Sequence, residues 1–234
     1  RAALAALPTV AALLITLPIR LTRVWGSPAP WQQLGIRAGG TALWRALLRG
    51  LLKAMVLLLV VLIGLALAGS TTWAPRLSTG LLINGLALGL GVGFAEELLF
   101  RGWLQGELSL LVGPQRALLL QAAVFSLAHT RFNLPAPLLL SLLGGLLLLG
   151  LALGLQRRAD NGVLWGAIGL HGGLVGGWFV LQTGVVSINP AAPAWLIGPA
   201  NPIGGALGWL GLVALLMARR RWWPRPGGPT ARQM

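Results

Sequence analysis

Seven apolar stretches, set apart by arginine-bearing segments, fix the solvent this chain is built for. They fall at about 2–19, 51–69, 80–102, 117–130, 137–155, 163–182 and 203–218. A helix needs roughly 20 apolar residues to cross hydrocarbon, and most of these stretches reach or approach that length; 117–130 is short. The chain is 56% hydrophobic and 9% charged, more apolar than a soluble domain can bury. The pattern predicts an all-α fold, a polytopic transmembrane helical bundle of about seven spans. Its first partner is the lipid bilayer.

The formal net charge of +14 would suggest nucleic acid in a soluble protein. Here the cations sit between and after the apolar stretches, as topology determinants facing anionic lipid do, so no nucleic-acid partner is expected. With seven crossings, fifteen Lys and Arg residues fall on one side and Arg1, Arg76 and Arg131 on the other. That asymmetry predicts a cytoplasmic C-terminus. The uncharged, proline-bearing loop 183–202 fits the outer side. The first apolar stretch carries its arginines after it, the reverse of a signal peptide. Chain organisation follows: 1–50 as a first span and a basic, Trp-bearing interfacial segment; 51–218 as the transmembrane bundle with its core motifs at 80–182; 219–234 as a basic, disordered cytoplasmic tail.

Against this background the acids stand out. The chain has four acidic residues and two histidines. Two of the acids, Glu96 and Glu97, are adjacent at the end of the run 80–102, and both His129 and His171 lie in apolar stretches. An ionisable group at membrane depth is costly and marks function by default. With no cysteine, thiolate chemistry and Cys-type metal sites are excluded.

Glu97 and Arg101 are four residues apart on one helix and can pair, which neutralises two charges that lipid would penalise. Glu96 projects about 100° away with no local cation, the setting of a general acid or base. The expected division is Glu97–Arg101 as a clamp and Glu96 as the reactive group. Phe125 precedes His129 by four residues, so its ring walls the site while the imidazole enters it; His171 lies mid-span. One Glu and two His can hold and activate water, either as general base and imidazole donors or as ligands of one divalent metal such as zinc, through Glu96, His129 and His171. No His-Glu-x-x-His motif is present. The three groups meet only if the Glu-bearing helix continues past residue 102 and the short helix stops near mid-membrane. At about 1.5 Å per residue, 117–130 reaches only some 20 Å. Glycine rows 85/89/93 and 172/176 predict close packing of the two helices that carry Glu96 and His171.

Glu96-Glu97-x-x-x-Arg101, then Phe125-x-x-x-His129, then His171, in that order and spacing, resembles the CPBP family, the CAAX protease and bacteriocin-processing group also called ABI. It includes the type II CAAX prenyl endopeptidases. The resemblance covers about 80–182 and extends to Glu97-Leu98-Leu99-Phe100-Arg101-Gly102 and Gly169-Leu170-His171-Gly172-Gly173. It implies an intramembrane endopeptidase acting on a membrane-associated peptide or protein. In that reading Glu96 and His129 activate the attacking water, and His171 holds the substrate carbonyl or developing oxyanion. Members are described both as metalloproteases and as metal-free glutamate enzymes; the cofactor is none or one divalent metal, with a lean toward none. Many members have Asn four residues after the third-motif histidine, others an apolar residue; here it is Val175. An amide donor would then come from elsewhere, with Asn133 the candidate. The competing class is a non-enzymatic membrane protein, either a proton-coupled transporter using Glu96 or an immunity or scaffold protein. A transporter commonly shows internal repeats, and the chain has no convincing one.

Overall fold

The computed structural model describes residues 2–198 and 201–218; the basic tail expected at 219–234 lies outside them. Seven longer helices stand where the seven apolar stretches fall. These are α1 (Ala2–Val24), α3 (Gly40–Leu67), α4 (Thr79–Glu97), α6 (Pro114–His129), α7 (Ala136–Ala159), α8 (Trp165–Gly184) and α10 (Ala206–Met217). Two one-turn helices, α2 (Pro30–Gln33) and α9 (Ala194–Ile197), punctuate the loops. Among the described residues three helical segments are long and apolar enough to cross a membrane, Gly40–Leu67, Thr79–Val112 and Ala136–Ala159. A count of seven crossings is therefore not established. Leu67, Met55 and Leu86 are 85%, 66% and 64% exposed, which is favourable against lipid and unfavourable against water. The chain is an integral membrane protein.

α8 is the helix that α3, α4 and α7 pack around. Its seven glycines and His171 dilute its hydropathy, because a helix faced by protein needs close contact more than apolarity. Gly89 and Gly172 show why glycine is required. A Cβ on Gly89 would stand 2.5 Å from the Gly172 carbonyl oxygen, and one on Gly93 would stand 2.9 Å from Gly172 Cα. The backbones of α4 and α8 thus touch along the predicted glycine rows.

The Glu-bearing helix does continue. α4 passes into a π-helical turn at Leu98–Leu104 and then α5 (Gln105–Val112), the wide turn marked by Gln105 N–H bonding to Phe100 O, five residues back. Gly113 then adopts φ 79°, a left-handed conformation, and Pro114 opens α6, so the chain reverses at this Gly-Pro pair. α6 ends at His129, as the meeting of the three groups demanded.

The fold is mostly helical, with one small addition: β1 (Thr71–Trp73) pairs antiparallel with β2 (Val186–Ile188), with Thr72 opposite Ser187, and ties the ends of α3 and α8 together. Before residue 51, α1 runs on to Val24, and α3 begins at Gly40 and passes through residue 50 unbroken. A polar layer lies at this end of the bundle. Lys53, only 1% exposed, donates to Gln156 Oε1 at 2.5 Å, Gln156 Nε2 donates to Asp160 Oδ2 at 2.6 Å, and Arg49 pairs with Asp160 at 2.5 Å. Lys53 is thereby satisfied inside the bundle, where an unpaired charge would be penalised.

Candidate active site

α4 delivers two adjacent carboxyl groups to opposite tasks. Glu97 is fully buried, and its Oε1 accepts from Arg101 Nη1 at 2.7 Å across one helical turn. Arg101, also fully buried, reaches Gly150 O with Nη2 at 3.4 Å, and its guanidinium lies 4.2 Å from the centre of the Phe125 ring. The ring's negative face is a favourable neighbour for a desolvated cation. The expected Glu97–Arg101 clamp is present, and the π-helical turn that contains Arg101 belongs to a class of distortion found often at functional sites.

Glu96, about a quarter exposed, turns toward the histidines: its Oε2 is 2.9 Å from His129 Nε2 and 3.7 Å from His171 Nε2. Side chains from α4, α6 and α8 therefore converge on one carboxylate oxygen. His129 Nδ1 lies 2.8 Å from Phe125 O, a carbonyl that only accepts. This assigns the Nδ1 proton and leaves Nε2 as the nitrogen facing Glu96. A nitrogen and a carboxylate oxygen 2.9 Å apart call for one proton on the pair. The contact is not aligned as a hydrogen bond, and Glu96 Oε2 is buried without a well-aligned donor.

One link was not foreseen. His171 Nδ1 is 2.8 Å from Glu97 Oε1. The same oxygen accepts from Arg101, so His171 Nδ1 donates to it, which orients the ring with Nε2 toward Glu96. This is the orienting role a carboxylate plays behind a catalytic histidine. Sequence spacing alone gave no signal for it, since the residues lie 74 positions apart. Phe125 completes the enclosure: its ring is 4.3 Å from His129 and edge-on to His171 at 5.8 Å between centres.

Val175 lines a cavity together with His171. Asn133, the proposed amide donor, is exposed in the loop after α6; the asparagine that lines the cavity beside His171 is Asn201. Among the described residues no three His, Asp or Glu side chains form a set that could hold a metal ion. Zinc ligands stand about 2.0–2.2 Å from the ion. Here Glu96 Oε2 and His129 Nε2 face each other directly at 2.9 Å, and no step below passes through a metal.

Fold and site together define a helical integral membrane protein with an acid–base cluster sunk among its helices. Residues 77–177 match the family described as type II CAAX prenyl endopeptidase Rce1-like. That segment holds every motif residue named above, and over it the chain is similar to that family, as the motifs implied. Neither a curated protein nor a solved structure matches the chain.

Proposed function

We propose that this chain is an intramembrane endopeptidase that hydrolyses a peptide bond of a membrane-associated peptide or protein. The observation that carries the reading is the meeting of Glu96, His129 and His171, from three helices, at 2.9 and 3.7 Å around one carboxylate oxygen. Water held at Glu96 attacks the scissile carbonyl carbon and passes a proton to the Glu96–His129 pair. His171, held at Nδ1 by Glu97, turns Nε2 toward the oxyanion as it forms and, when protonated there, donates to it. Collapse of the tetrahedral intermediate expels the amine, which takes its proton from His129. The water and the proton are thereby accounted for, and the site returns to its starting state. General acid–base transfer of this kind is worth roughly a hundred- to ten-thousand-fold in rate.

The matched family supports peptidase activity, and a prenylated substrate is one candidate among membrane-anchored peptides. The arginine asymmetry supports a cytoplasmic C-terminus. The test is cleavage of membrane-anchored peptides by the purified, reconstituted chain beside its Glu96→Gln, His129→Ala and His171→Ala variants. Loss of cleavage in all three, with folding retained, supports the reading. Undiminished function in all three overturns it in favour of a transporter or scaffold.

A further inference from the structure

The π-helical turn poses a hydrogen-bonding question of its own. Gln105 N–H reaches back five residues to Phe100 O, and where five-residue bonding gives way to four-residue bonding one carbonyl is passed over. Arg101 O comes next in the chain, and it accepts from Arg157 Nη1. The rest of that guanidinium is committed to backbone as well. Nη2 donates to Gln33 O at 2.8 Å, at the end of α2, and Nε donates to Gly162 O at 3.3 Å, in the turn between α7 and α8.

Among the described residues no carboxylate pairs with Arg157. Asp160, three positions on, is taken by Arg49 and Gln156. A cation shared among three carbonyls from three separate segments acts as a joint. The planar, five-donor fork of arginine reaches three acceptors in three fixed directions, whereas a lysine ammonium is a point charge on a flexible stem. The segments joined are those that carry the site. The π turn continues the helix that delivers Glu97, and its Arg101 side chain holds Glu97 Oε1 at 2.7 Å. The turn at Gly162 leads into α8, which delivers His171. The loop after α2 rests on the same entry, with Leu164 N–H donating to Gly35 O at 2.9 Å.

The 2.8 Å contact between Glu97 Oε1 and His171 Nδ1 thus joins two helices that Arg157 already ties together at one end. We propose that Arg157 is a positioning residue: by holding the π turn to the α7–α8 turn it sets the distance between Glu97 and His171, and with it the direction in which His171 Nε2 faces. The proposal rests on the proteolytic reading for its effect on turnover, because a site group displaced by about 1 Å can cost about a hundredfold in rate. Arg158, the next residue, makes the contrast. It turns to the start of α6 instead, donating to Gln115 Oε1 at 3.1 Å and to Pro114 O.

The chain has two histidines, so ¹⁵N-histidine labelling gives two imidazoles, assigned by His129→Ala and His171→Ala. Spectra, melting curves and cleavage kinetics are recorded on the full chain in phosphatidylcholine nanodiscs, for the wild type, Arg157→Lys, Arg157→Gln and Arg158→Gln. Both Arg157 variants are expected to shift the His171 Nδ1–H resonance well below their melting temperatures. They are expected to lower kcat about ten- to a hundredfold with KM within about twofold. Arg158→Gln is expected to match the wild type in both respects. Folded Arg157 variants with the wild-type His171 resonance, or full recovery by Arg157→Lys, would overturn the proposal. So would loss of folding in both Arg157 variants, which would make the role structural alone. The two readings fail separately. A shifted His171 resonance in a chain that cleaves no membrane-anchored peptide removes the protease and keeps the placement; normal cleavage with an unmoved resonance removes the placement and keeps the protease.

Discussion

His171 Nδ1 lies 2.8 Å from Glu97 Oε1, the same oxygen that Arg101 engages at 2.7 Å. One buried carboxylate thus both neutralises a buried guanidinium and orients a histidine from another helix. The two adjacent glutamates are therefore not redundant: Glu97 holds Arg101 and His171, and Glu96 faces His129.

Replacing Glu97 by Gln should destabilise the protein by about 3–5 kcal/mol, because it leaves Arg101 buried and uncompensated. Pairing Glu97→Gln with Arg101→Met should recover much of that stability but not the activity, since His171 stays unoriented. Thermal unfolding in detergent, with a cleavage assay on the same samples, separates the two effects. A double variant with normal activity would show that Glu97 serves Arg101 alone.

Glu96→Gln should behave in the opposite way. The side chain is a quarter exposed, so little stability should be lost, while turnover should fall by roughly a hundredfold or more. Matching melting curves with near-normal turnover would remove Glu96 from the reaction.

The α4–α8 contact predicts a sharp contrast between neighbouring glycines. Gly89→Ala places a methyl 2.5 Å from the Gly172 carbonyl and should cost about 1–3 kcal/mol as the helices are forced apart. Gly91 has open space at its Cβ position, so Gly91→Ala should be neutral or stabilising through its gain in helix propensity. Equal effects at the two positions would mean that the close approach is not what holds Glu96 near His171.

Metal content is checked on purified wild type and on Glu96→Ala, His129→Ala and His171→Ala. The hydrogen-bonded arrangement predicts cleavage that survives chelation. Near-stoichiometric zinc that disappears from all three variants would instead establish a metal centre, and the side chains would have to rearrange to form it.

Orientation is open to direct labelling because the chain has no cysteine. A membrane-impermeant maleimide applied to intact cells should label Ala191→Cys, in the loop expected outside, and leave Arg116→Cys unlabelled. The reverse pattern would place the C-terminus on the outer side.

The apolar stretches and the motif residues were legible in the chain because each rests on local rules: hydropathy and helical spacing. Glu97–Arg101 was legible for the same reason, being a pair within one turn. Even the continuation of α4 past residue 102 and the stop at His129 could be deduced, since Glu96 and His129 cannot otherwise meet.

What escaped is non-local. The small β1–β2 pair joins residues more than a hundred positions apart, and three-residue strands carry no periodicity of their own. Gln156 holds Lys53 inside the bundle and Asp160 pairs with Arg49, partners that lie more than a hundred positions away along the chain. Hydropathy says that a charge must be satisfied, but not by which helix. The apolar stretches and their polar interruptions fixed a membrane bundle with a buried acid–base cluster. Helix packing around glycine-rich α8 then decided that Glu97 turns to His171 and that Glu96 turns to His129.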